Sequence, residues 1–160
     1  MAILISIIVL GLIFDFINGF HDAANSISTI VTTRVLTPFQ AVIWAAFFNF
    51  VAFFISKYII GEFGIANTVS KTVYEEYITL PIILAGVIGA IIWNLLTWWR
   101  GIPSSSSHTL IGGFAGSAIM ANGFNAIHGS IILKIASFIF LAPFIGMVIA
   151  FFISLLVTYG

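Results

Sequence analysis

Gly101-Ile102-Pro103-Ser104-Ser105-Ser106-Ser107-His108-Thr109 interrupts a chain that is otherwise almost continuously apolar. It lies between two long hydrophobic segments, and its reading decides the fold. A row of hydroxyls behind a Gly-Ile-Pro break is out of place at membrane depth unless it handles something polar. Backbone that leaves the helix inside a bilayer loses its internal hydrogen bonds, a loss tolerated only where protein or a wet cavity surrounds it. Broken helices of this kind are where secondary transporters hold ions and substrates.

The composition around this stretch leaves little choice of class. Of 160 residues, 61% are hydrophobic and 6% charged, where a soluble domain carries roughly a quarter charged. Such a chain cannot cover a water-exposed surface, so an all-α integral membrane protein with one transmembrane domain over 1–160 is expected. The 17 phenylalanines suit lipid-facing and packing surfaces. With no cysteine, a disulfide framework and a thiolate metal site are excluded. A formal net charge of zero gives nucleic acid no purchase. The run Ala2 to Phe20 has neither a positive leading region nor a small-residue cleavage site, so it reads as a spanning segment rather than a signal peptide.

A helical span needs about 20 apolar residues for a core of about 30 Å. The first candidate is Ala2 to Asn18, ending at Asn18-Gly19, followed by a short helical piece from about Asp22 to Thr33. Pro38 to Ile60 is the second span, and Ile78 to Trp99 the third. Between them, Glu62 to Tyr77 holds most of the charge and reads as an aqueous loop. After the break, Thr109 to Ala121 reads as a half-helix whose small residues allow close backbone approach. Asn122 to Ser130 is turn-like, and Ile131 to Tyr159 is a last span with an expected offset at Pro143 or Gly146. The sum is about four spanning helices plus broken or re-entrant half-helices. Five positive residues scattered over several boundaries give no orientation bias.

Two constellations carry chemistry. In Asn18-Gly19-Phe20-His21-Asp22-Ala23-Ala24-Asn25-Ser26, a carboxylate sits in an apolar run, at a cost of about 2.5–3.5 kcal/mol on insertion scales. Pairing with a cation offsets that cost. Asp22 and Asn25 are three residues apart and share a helical face, giving an oxygen site suited to a hard cation, sodium, or to a proton. Asp22 can equally N-cap a half-helix that follows it. In the second constellation, a helix starting after Pro103 presents free N–H groups and a positive dipole end to an anion. Ser104, Ser105, Ser106, Ser107 and Thr109 add hydroxyl donors without adding charge, enough to bind a tetrahedral anion and release it. His21, His108 and His128 read first as hydrogen-bonded structural residues, with His21 and His108, together with Ser26, available in support. Arg100, near the break, either neutralises an anion or snorkels to the headgroups.

On these residues the chain closely resembles the inorganic phosphate transporter family of the PiT type. The resemblance runs from Gly19-Phe20-His21-Asp22-Ala23-Ala24-Asn25-Ser26 through Thr33-Arg34-Val35-Leu36-Thr37-Pro38, resumes at Trp44-Ala45-Ala46-Phe47-Phe48-Asn49-Phe50, and returns at Gly101 to Gly113. It implies symport of inorganic phosphate, driven by a sodium or proton gradient, by a multi-pass protein of the cell membrane. Carried over by position, Asp22 and Asn25 serve the coupling cations, and Ser104 to Thr109 the phosphate. It also implies two inverted repeats, each with a broken first helix, and a metal–phosphate complex as one form of the substrate. One copy of each motif is present, so the expectation is one repeat of such a transporter, working with a second half or as a homo-oligomer. No cofactor is implied beyond the coupling sodium ions or protons.

Hydroxyls and helix ends do not encode which anion they hold, so sulfate is the alternative cargo, and a non-transporting membrane subunit the alternative role. An intramembrane hydrolase is disfavoured. Adjacent Ser and His side chains on a helix diverge, and no glycine pattern frames a single serine.

Overall fold

The computed structural model describes residues 1–61 and 64–159; the expected loop charge at Glu62 lies outside them. Among the described residues, four helices are long and apolar enough to cross a membrane: Ala2–Thr32, Pro38–Ile60, Leu80–Arg100 and Gly129–Tyr159. We label the helices α1 (Ala2–Thr32), α2 (Pro38–Ile55, continued by a π-helical turn at Ser56–Ile60), α3 (Gly64–Ser70), α4 (Leu80–Arg100), α5 (Ser106–Asn122) and α6 (Gly129–Tyr159).

The first expectation to fall is the break in the first helix. α1 runs without interruption from Ala2 to Thr32, through Asn18-Gly19. Asp22 therefore sits mid-helix, and the capping role is excluded. Phe14, Ile17 and His21 form one buried stripe at helical spacing, so the register carries across the Asn-Gly pair. Burial of that stripe outweighs the glycine penalty of about 1 kcal/mol. The helix ends in a paired-carbonyl cap: Arg34 N–H donates to Val31 O at 3.0 Å and Val35 N–H to Ile30 O at 3.1 Å. This cap places Arg34 at φ 58, where glycine is the usual occupant.

Next, α2 starts where Thr37 and Gln40 cap each other reciprocally, with Pro38 in the first turn. Its π-helical turn closes at Gly61, φ 76, with Gly61 N–H donating to Ser56 O at 2.9 Å.

The best-packed unit is the antiparallel hairpin of α4 and α5. Small residues let the two backbones touch: a Cβ on Gly86 would meet Phe114 Cα at 2.9 Å, and one on Gly113 would strike the Gly86 carbonyl oxygen. Ser117 Oγ donates across to Ile82 O at 2.9 Å. α1 lies along α4, with Phe20 edge-on to Trp98 at 5.4 Å.

The segment read as an aqueous loop is partly interior. It contains α3 and a short 3-10 turn at Glu75–Tyr77, and Thr72 and Val73 are buried. Val73 bridges antiparallel to Ile127, with His128 N–H donating to Thr72 O at 2.9 Å and Tyr74 N–H to Ala126 O at 3.0 Å. The segment before α4 is thereby pinned to the one after α5. Val73, Ile82, Phe114, Ala118 and Ala126 form the core beneath that bridge. His128 finds its place here, its ring 3.6 Å from that of Tyr74. α6 is one helix from Gly129 to Tyr159, continuing through Pro143 and Gly146.

Candidate functional site

Gly101, at φ 64, ends α4 in the left-handed conformation, and an extended linker leads to α5. The helix starts after Pro103, as the sequence suggested, with Ser104 between the proline and the cap. Ser105 is the N-cap, its Oγ accepting from His108 N–H at 3.5 Å, and Ser106 is the first helical residue. The half-helix expected from Thr109 to Ala121 is thus one turn longer, Ser106–Asn122.

The hydroxyls of this turn divide their work. Ser105 is occupied in capping. Ser104 Oγ and Thr109 Oγ1 pair at 3.3 Å, and Thr109 Oγ1 donates to Ser105 O at 2.9 Å. Ser106, 4% exposed, turns to α1, where its Oγ hydrogen-bonds Asn18 Oδ1 and lies 3.4 Å from Asp22 Oδ2. One hydroxyl has one proton to donate, so Asn18 and Asp22 compete for it and leave oxygen lone pairs to spare. Three oxygens from an amide, a carboxylate and a hydroxyl make a donor set that fits a hard cation. Ser107 is half-buried and lines an open cavity of about 710 Å³ together with Phe14, Asp15, Asn18, Ser106 and Leu110.

Of the remaining expected residues, Asn25 is exposed one turn beyond Asp22 on the same helical face, and among the described residues no hydrogen bond links its side chain to α5. Ser26 is exposed and donates to Ala23 O at 3.1 Å. His21 is 7% exposed, and its Nδ1 has no partner among the described residues. His108 is exposed. Arg100 lies over the Trp99 ring at 5.1 Å.

Three residues escaped the sequence reading. Asn18 was taken for a helix end, because Asn-Gly reads as a turn. Asp15 went unremarked, although Asp15, Asn18, Asp22 and Asn25 fall at i, i+3, i+7 and i+10 on one face of α1. Asn94 is 0% exposed, and neither side-chain atom has a partner among the described residues. Its signal was the four-residue step Ile82, Gly86, Ala90, Asn94, which marks the buried face of α4. The α4–α5 register, with Ile82 against Ser117 and Gly86 against Gly113, continues to Asn94 opposite the first turn of α5.

Residues 18–160 match the phosphate transporter family. The chain is 48% identical over 160 residues to a probable low-affinity inorganic phosphate transporter of Rhizobium meliloti (strain 1021), covering 98% of this chain and 46% of that protein. It is 46% identical over 151 residues to a protein of the same description from Bacillus subtilis (strain 168), covering 92% and 43%. Against the low-affinity inorganic phosphate transporter PitB of Escherichia coli (strain K12) it is 34% identical over 152 residues, covering 87% and 30%. The chain therefore spans less than half the length of these three relatives. No solved structure matches.

Proposed function

Since the chain belongs to the phosphate transporter family, a family of transporters and not of enzymes, we propose that it carries inorganic phosphate across a membrane together with a sodium ion or proton, as one half of the working unit. The observation that carries this reading is the meeting of Ser106 with Asn18 and Asp22. It joins the two sequence constellations, one suited to a cation and one to an anion, at a single point between α1 and α5. The names of the relatives supply phosphate as the cargo.

In this reading the cation takes the oxygens of Asn18, Asp22 and Ser106. It lowers the repulsion that Asp22 exerts on an incoming anion and releases the Ser106 proton to point elsewhere. Asn25, next along the stripe, completes the cation shell when α1 or a second half moves. Phosphate takes the first turn of α5, where backbone N–H groups and the helix dipole favour negative charge. The hydroxyls of Ser104, Ser107 and Thr109 supplement them. A phosphate carried with a bound divalent cation would bring its own neutralisation to the same turn. Alternating access then follows from rocking one helical bundle against another about this point.

The test is uptake of labelled phosphate into liposomes holding the purified chain, with sodium or proton gradients imposed. Gradient-driven accumulation establishes symport and names the coupling ion. Accumulation only when a second half is supplied upholds the half-unit assignment. Asp22→Asn is expected to abolish the cation dependence of phosphate uptake; uptake by that variant with unchanged cation dependence would sink the assignment of Asp22.

A further inference from the structure

Two cavities meet at the first turn of α5, and their charges are opposite. The first carries Asp15 and Asn18 beside Ser106 and Ser107. The other, of about 600 Å³, lies between α3, α5 and α6 and carries Thr68, Lys71, Ser105, Ser107, His108 and Lys134. Ser107 lines both.

Each element offers one helical face to this second cavity. α3 and the residue after it present Gly64, Thr68 and Lys71, at i, i+4 and i+7, while α6 presents Ile131, Lys134, Ile135 and Phe138. Those are the spacings of single faces, so both lysines are set there by helix register. The chain has five cationic and five acidic residues; among the described residues, two cations and no acid line this cavity. Among the described residues, the ionisable residue lining the other is Asp15.

A cavity lined by one sign of charge with apolar walls concentrates ions of the other sign. Resting on the symport reading above, we propose that the two cargoes approach the serine turn by separate routes. Phosphate stages in the cavity of Lys71 and Lys134, and the coupling cation stages in the cavity of Asp15. They are brought together at the serine turn, where Ser107 borders both cavities, as Gly64 of α3 also does. Lys71 and Lys134 hold a hydrated oxyanion by charge, with Thr68 Oγ1 and the exposed His108 available as hydrogen-bond partners. Neither lysine touches Asn18, Asp22 or Ser106 by any hydrogen bond in the structure, so this staging site lies outside the place where the two cargoes meet. Separate entry lets each be attracted without crossing a field of its own sign.

The experiment is a cross of variants and ligands on the purified chain. Binding of [33P]orthophosphate is measured at low and high ionic strength, set with choline chloride. Cation binding is read as the thermal stabilisation given by sodium chloride over choline chloride. Lys71→Gln with Lys134→Gln is expected to weaken phosphate binding at least fivefold at low ionic strength, with the gap closing at high ionic strength and the sodium effect unchanged. Lys71→Arg with Lys134→Arg keeps the charge and is expected to retain phosphate affinity within twofold. Asp15→Asn is expected to cut the sodium effect and to leave phosphate binding without sodium unchanged or tighter. Equal phosphate affinity in the glutamine pair, or parallel losses of both ligands in either variant, overturns the separate routes. Failure of the arginine pair to bind as the unmodified chain does would show that the lysines matter by shape and not by charge, and overturns the staging role. If the unmodified chain binds no phosphate even when the second half is supplied, the symport reading fails and the staging site fails with it.

Discussion

Ser106 reaches Asn18 and Asp22 with a single proton between them, so its removal acts on two groups at once. Ser106→Ala leaves both oxygens without their α5 partner, and hydrogen bonds to charged groups are worth about 1.5–3 kcal/mol. Phosphate affinity in the presence of sodium is expected to fall about tenfold or more, while helical content stays unchanged by circular dichroism. A variant that binds as before would remove Ser106 from the site. Ser106 and Asp22 were legible in the sequence because each is a polar anomaly in apolar surroundings. The division of labour among Ser104, Ser105, Ser106 and Ser107 was not. Four like residues in a row differ only in the direction each faces, and the position of the cap decides that. Asn94 was hidden for the opposite reason: it lies outside any motif, and only the placement of neighbouring helices gives it meaning. Asp15 was hidden by the assumed helix end at Asn18-Gly19, which cut it off from Asp22 and Asn25.

At the scale of elements, hydropathy and length located all four spans, and Thr37-Pro38 marked the start of α2 within the apolar run. The continuity of α1 could not be read the same way. Asn-Gly is local punctuation, and the burial of Phe14, Ile17 and His21 against neighbouring helices is a tertiary effect. The same contrast yields two predictions. The α4–α5 contact leaves no room for a methyl group at Gly113, so Gly113→Ala is expected to cost about 1–3 kcal/mol, seen as a lower melting temperature in detergent. An unaltered melting temperature would mean that the hairpin is looser than described. In the turn after α1, Arg34 holds a left-handed conformation that costs a side-chain-bearing residue about 1–2 kcal/mol. Arg34→Gly is expected to stabilise the chain by about 1 kcal/mol, and a drop in melting temperature would show that the guanidinium contributes more than the strain takes.

For the molecule as a whole, the bridge between Val73 and Ile127 puts the segments before α4 and after α5 on one face. Following the helices through the membrane puts the α1–α2 turn on the other face, with the end of α6. Because the chain has no cysteine, single replacements report this directly. Cysteines at Lys71 and Asn125 are expected to label from the same side of sealed vesicles, and cysteines at Arg34 and Tyr159 from the opposite side. Labelling of Lys71 and Asn125 from different sides would break the arrangement. The bridge has a mechanical meaning too. The α4–α5 hairpin is held at its base by that bridge and pressed backbone to backbone at its middle. A beam clamped in that way deflects most at the end away from the clamp, and that end is the linker 101–105 with the serine turn just behind it, held through its contacts with α1. The part of the hairpin with most travel is therefore the part that grips α1, while the loops at its root stay still.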